Sequence, residues 1–143
     1  MAKSELSKAE WLDKAEGYCA RSEHCAADVR RKLFEWGTPE DLFDGIEEIL
    51  YERDFLNDSR FCRAYVHDKV EYQSWGRVKI RAGLQALHLP ESEIRKALEE
   101  LDKEKYKENL RNLVQQRRRD SEEKRLRFLL QRGFTYEEIK KIA

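Results

Sequence analysis

Five side chains of metal-ligating type, Cys19, His24, Cys25, Cys62 and His67, offer the first chemistry to test. No C-x-x-C pair joins the cysteines, and Cys62 and His67 stand five apart, off a common helix face, so packing roles are expected for the thiols. The adjacent acids Glu47-Glu48 and Glu99-Glu100 are general acid/base types. They lack a patterned histidine or nucleophile and read as solvated helix faces. Neither G-x-G-x-x-G nor G-x-x-x-x-G-K-[ST] occurs, so no phosphate loop is encoded. The expectation is a protein that is not an enzyme, with no catalytic residue, metal or cofactor.

Basic residues carry more information. Arg117, Arg118 and Arg119 run together and are followed by Lys124, Arg125 and Arg127; Arg77, Lys79 and Arg81 form a second group, and Arg60 is a further candidate. Such runs are ordinarily solvated faces, here balanced by Glu122 and Glu123. The functional reading is contact with DNA phosphates or with acidic protein surfaces, and phosphate contact makes binding steeply salt-dependent. Trp36, Tyr72 and Trp75 lie near these segments as candidates for base stacking or interface anchoring, although aromatics at helix ends more often pack against their neighbours. Formal net charge is zero but unevenly spread. Residues 35–60 hold nine acids against two bases, and residues 103–132 hold eleven bases against five acids. A zero total therefore leaves binding to nucleic acid or to an acidic partner open.

Helices must position these groups: 41% of the 143 residues are charged and only two are proline. One amphipathic segment, 9–21, puts Leu12, Ala15, Tyr18 and Cys19 on one stripe. A second, 25–36, uses Val29, Leu33 and Trp36 and stops at Gly37. A third should start with Thr38 as N-cap and Pro39 at its first position, burying Leu42, Phe43, Ile46, Ile49 and Leu50. In the stretch 54–66, Asn57 or Asp58 caps a fourth helix running to about residue 72, with Phe61 and Tyr65 as core. Helices follow from Gly76, with Ile80 and Leu84 inward; after Pro90, with Ile94, Ala97, Leu98 and Leu101; over 103–119, with Tyr106, Leu110, Leu113 and Val114; from Ser121; and from Thr135, whose T-Y-E-E is a capping box. Gly17, Gly45 and Gly83 fall inside helices, where close helix approach would explain them.

The pattern repeats. Val29 and Ile80, Leu33 and Leu84, Gly37 and His88, and Pro39 and Pro90 are each 51 residues apart; a shift of 45 then takes Leu84 to Leu129 and His88 to Gly133. Cys25, Gly76 and Ser121 become equivalent N-caps. The expected fold is all-α: three tandem three-helix repeats, 1–53, 54–102 and 103–143, in an elongated, curved array. No apolar run approaches the ~18 residues of a membrane span, and the opening M-A-K-S-E lacks a secretion core, so a cytoplasmic monomer is expected.

The segments RSEHCAADVRRKLFEWG (21–37), FLNDSRFCRAYV (55–66), WGRVKIRAGL (75–84) and RFLLQRGFTYEEI (127–139) resemble, in order and spacing, the RecX family of bacterial recombination regulators. The resemblance implies a partner, the RecA recombinase, bound in the groove of its filament on single-stranded DNA, with inhibition of ATP hydrolysis, strand exchange and coprotease activity. Three positions depart from the family pattern: Cys25 replaces a serine cap, Gly83 a glutamate, and His88 a glycine after the helix. Two alternatives remain at this level: a helical protein that competes generally for DNA, and a helical adaptor for another partner.

Overall fold

The computed structural model describes residues 6–142; the M-A-K-S-E opening lies outside them. Among the described residues the secondary structure is entirely helical: α1 Lys8–Arg21, α2 Ala26–Trp36, α3 Phe43–Glu52, α4 Asp58–Asp68, α5 Arg77–Ala86, α6 Glu91–Glu99, α7 Lys103–Gln116, α8 Glu122–Gln131 and α9 Tyr136–Ile142. None of these helices is long and apolar enough to cross a membrane. Two compact units divide the chain between Phe61 and Cys62, within α4.

In the N-terminal unit, Trp11, Ala15 and Cys19 of α1 pack with Val29 and Leu33 of α2 and with Phe43, Ile46 and Leu50 of α3. Ion pairs fasten the rim: Arg30 reaches Asp44 and Glu47, and Arg53 reaches Glu16. In the C-terminal unit the buried side chains include Val70, Ile80, Leu84, Ile94, Leu98, Tyr106, Leu110, Leu129, Phe134 and Ile139. Each such apolar side chain contributes about 1.5–3 kcal/mol in transfer free energy.

The repeat register holds at the level of the backbone. Val29, Leu33, Ile80, Leu84 and Leu129 are all essentially inaccessible. The positions that follow these helices, Gly37 (φ 81), His88 (φ 63) and Gly133 (φ 101), are all left-handed. Cys25, Gly76 and Ser121 stand as the N-caps of α2, α5 and α8. The Ser121 hydroxyl accepts from Lys124 N–H at 3.1 Å. Cys25 is supported differently, since its N–H donates to the Asp28 carboxylate at 3.3 Å. Asn57 is the cap of α4, accepting from Arg60 N–H at 2.9 Å, and Thr135 and Glu138 close their capping box with bonds of 2.9 and 3.1 Å.

Two boundaries differ from expectation, and a third is reached by an irregular turn. Thr38 does not cap the third helix: its N–H closes α2 on the Leu33 carbonyl at 3.0 Å, and its buried hydroxyl has no hydrogen-bond partner among the described residues. A 3-10 turn, Glu40–Leu42, therefore intervenes before α3. Helix α7 stops at Gln116 rather than near residue 119 because Arg125 Nη1 takes the carbonyls of Arg117 (3.2 Å) and Asp120 (3.0 Å), diverting the chain into turns. Helix α4 runs on through a π-helical turn, Lys69–Gln73, to a left-handed Ser74 (φ 52). There the Val70 carbonyl is taken instead by buried Asn109 Nδ2 at 2.7 Å.

Of the helical glycines, only Gly83 marks a close approach: a Cβ there would lie 2.1 Å from the Tyr65 hydroxyl oxygen. Gly17 has open space, and Gly45 faces only the flexible end of Lys8. A tighter contact joins Gly76 to Gly133, where a Cβ on Gly76 would meet the Gly133 carbonyl carbon at 2.2 Å. Gly76 N–H donates to the Arg132 carbonyl (2.7 Å) and Val78 N–H to the Gly133 carbonyl (3.0 Å). The C-terminus of α8 thus satisfies the free N–H groups at the start of α5, and the two helix dipoles meet head to tail.

Candidate partner-binding surface

The predicted basic residues fall into two kinds, those held by the fold and those offered to solvent. Arg60 is held within the N-terminal unit, donating to Glu23, to the Asp54 carboxylate at 3.1 Å and to the Asp54 carbonyl at 3.0 Å. Arg77 opens α5: its N–H donates to the Tyr106 hydroxyl at 2.9 Å, its guanidinium lies 4.5 Å from the Tyr106 ring centroid, and Nη1 reaches Glu138 at 2.9 Å. Tyr106 also donates to Glu138 at 3.0 Å. Burial, reinforced by the Glu138 charge, raises the Tyr106 pKa and keeps the hydroxyl a neutral donor. Arg81 pairs with Glu91, and that hydrogen bond lowers the Glu91 pKa. Lys79 covers the Trp75 ring at 4.5 Å, as Lys69 does at 4.6 Å.

At the turn between α7 and α8 the same division recurs. Arg117 stacks on Phe128 at 3.7 Å and pairs with Asp120 at 3.5 Å, and Arg125 clamps the turn from α8. Arg118, Arg119, Lys124 and Arg127 are exposed, and among the described residues none has a carboxylate within ion-pair distance. The fold brings these four together at one end of α7 and the beginning of α8, with Arg117 and Arg125 holding the turn that presents them.

Two adjoining grooves add cations that the clustered runs did not reveal. One, between α5, α6 and the start of α7, is lined by Arg77, Val78, Arg81, Arg95, Leu98 and Lys103 together with Glu99. The other, between α5, α7 and α9, shares Arg77 and Lys103 and adds Tyr106, Lys107, Leu110, Lys141 and Ile142 together with Glu138. Arg95, Lys107 and Lys141 are exposed and have no ion-pair partner among the described residues. The sequence signal was present in part, since Lys103 and Lys107 are four apart on α7 and share a face. Arg95 and Lys141 come to the same surface only through packing.

The three cysteines are buried, Cys62 completely, and none is in a disulfide. Burial pushes the Cys19 thiol up to about 11, with nearby Glu23 adding to the effect, so neither nucleophilic nor metal-ligand character is favoured at neutral pH. The chemistry this surface offers is recognition: fixed positive charge, two of the cations presented on a braced turn, two on the helix that follows it, and others around grooves with apolar groups in their linings.

Comparison with known proteins is consistent along the chain. Residues 57–98 match the family description "RecX, second three-helix domain". Regulatory protein RecX of Clostridium botulinum (strain Alaska E43 / Type E3) is 33% identical over 125 residues, covering 80% of this chain and 58% of that protein. The chain thus spans little more than half the length of that relative. The protein of the same name from Pseudomonas fluorescens is 29% identical over 130 residues, covering 86% of this chain and 83% of its own. A crystal structure of regulatory protein RecX superposes with a TM-score of 0.78 at 23% identity over 99% of this chain and 80% of the other. That of RecX from Lactobacillus salivarius superposes at 0.77 with 21% identity over 94 and 93%. Both structures support the helical fold.

Proposed function

Because the chain belongs to the RecX family of regulatory proteins, we propose that it binds the RecA recombinase, in particular its filament on single-stranded DNA, and typically inhibits ATP hydrolysis, strand exchange and coprotease activity. The observation that carries this reading is the set of unpaired cations of the C-terminal unit, Arg118, Arg119, Lys124 and Arg127, held in place by the Arg117 and Arg125 contacts. Arg118 Nη1 donates to the Gln115 carbonyl at 3.3 Å, but exposed charge without a carboxylate beside it contributes little to folding and is available to a partner.

The mechanism needs no active site. Three consecutive three-helix units, 1–53, 54–102 and 103–143, would contact successive protomers of a helical filament, so that modest contacts combine through effective concentration. Bridging protomers biases the filament between conformations by the difference in affinity for them, and ATP turnover falls as a consequence. The same cations also favour a second reading, direct competition for DNA, in which affinity for bare strands falls steeply with salt. On either reading the protein works in the cytoplasm, where the recombinase acts.

The test is a titration of this protein into the cognate recombinase on single-stranded DNA while ATP hydrolysis is followed. Inhibition below equimolar ratio is expected for filament binding. An unchanged rate up to a several-fold excess counts against the reading. Reversing Arg118, Arg119 and Arg127 to Glu should weaken the effect while helix content stays unchanged.

A further inference from the structure

We propose that the paired groove bounded by α5, α6, α7 and α9 is a docking site for an acidic peptide segment that carries apolar side chains, supplied by the protein partner rather than by DNA. The inference rests on the reading above and assigns the chemistry of one contact within it.

Charge complementarity selects the sign of the occupant. Among the groove-lining groups, Arg77 is neutralised by Glu138 and Arg81 by Glu91. Arg95, Lys103, Lys107 and Lys141 remain, opposed along the lining by Glu99; Glu138, also in the lining, is engaged by Arg77, and Glu91 lies near enough to Arg95 to feel its charge. Lys103 makes only a long 3.5 Å contact to the Glu99 carbonyl, so its ammonium is available. Four cations with aliphatic stems, set around a groove, favour carboxylates at several points along an extended or helical segment.

The floor separates peptide from nucleic acid. Val78, 55% exposed, stands at the head of one groove and half-buried Ile142 lines the other, above the buried Leu98 and Leu110. These surfaces suit apolar side chains interspersed with acids. A single-stranded nucleic acid would need free aromatic faces for its bases. The one aromatic ring in either lining, Tyr106, has a guanidinium 4.5 Å from its centroid, and its hydroxyl is engaged by Arg77 N–H and Glu138.

The experiment uses the full chain and fluorescence anisotropy with a labelled peptide alternating Glu with Leu. Parallel probes are its Glu/Ser and Lys/Leu counterparts and a labelled oligothymidylate. Saturable binding of the Glu/Leu peptide is expected, weakened about tenfold when Leu becomes Ser and about tenfold again in the double variant Lys107→Glu, Lys141→Glu. These two lysines are exposed, so circular dichroism should match the parent. Val78→Ser, a second exposed change, should weaken the Glu/Leu peptide and leave oligothymidylate binding unaltered. No binding of the Glu/Leu peptide, equal loss of oligothymidylate in the lysine variant, or concentration-dependent self-association that the peptide reverses would each overturn the inference. Failure of the peptide beside intact inhibition of ATP hydrolysis removes this inference alone. Peptide binding beside no inhibition removes the recombinase reading and leaves the groove chemistry standing.

Discussion

Replacing His88 with glycine should stabilise the protein. His88 is exposed, has φ 63, and occupies the position that Gly37 and Gly133 hold in the equivalent helix ends. Its N–H donates to the Gln85 carbonyl at 2.9 Å and the following Leu89 N–H to the Leu84 carbonyl at 3.2 Å, so the left-handed turn is required to close α5. An L side chain in that conformation costs about 1–2 kcal/mol. Glycine removes this strain but makes the unfolded chain more flexible, which offsets about 0.4–1 kcal/mol. The net expectation for His88→Gly is about 0.5–1 kcal/mol of added stability, or a melting temperature about 1–4 °C higher for a chain of this size. Urea denaturation followed by circular dichroism measures it, with the slope unchanged because no apolar surface moves. A lower midpoint at the same slope would refute the reasoning, because it would mean that the imidazole contributes more than the left-handed backbone costs.

Other sites give equally specific expectations. Gly76→Ala should destabilise by about 1–3 kcal/mol, because its Cβ would meet Gly133 backbone at 2.2 Å, whereas Gly17→Ala, with nothing within 4 Å, should stabilise α1 by up to about 1 kcal/mol; denaturation of both variants checks the pair. Tyr106→Phe removes the acceptor for Arg77 N–H and a donor to Glu138 and should cost about 1–3 kcal/mol by the same assay. The native Tyr106 pKa is raised above its ordinary 10.0, so above that pH the unfolded state holds fewer protons than the folded one. Its stabilising contribution is therefore complete below pH 10 and is lost as the pH climbs beyond it; a stability profile of Tyr106→Phe should fall less steeply there. Thiol reagents at neutral pH should label Cys19, Cys25 and Cys62 slowly in the native protein and rapidly in urea; fast native labelling of any would contradict their burial.

Much of the fold was legible because the apolar spacing and the helix-end glycines repeat. That register located the buried Leu33, Leu84 and Leu129 and the three left-handed positions, including the one that histidine fills. Thr38 misled because a threonine before proline signals a cap, yet a 3-10 turn stands between it and α3, and its hydroxyl accepts no backbone N–H among the described residues. The end of α7 was hidden since arginines 117–119 are good helix formers, and the residue that turns the chain, Arg125, belongs to the next helix. At the surface, charge runs identified the α7–α8 cluster but not which members are free. Asp120 and Phe128 decide that for Arg117, as Glu138 and Glu91 do for Arg77 and Arg81 in the other group. Arg95 and Lys141 joined the surface through tertiary packing alone, which no local pattern encodes.

On the reading proposed above, the C-terminal cations serve a protein filament rather than DNA as such. Equilibrium binding of this chain to single-stranded DNA, measured bare and coated with the cognate recombinase in one buffer at physiological salt, tests it most directly. The account predicts much tighter binding to the coated strand, weakened by reversing Arg118, Arg119 and Arg127. Equal or tighter binding to the bare strand would contradict it.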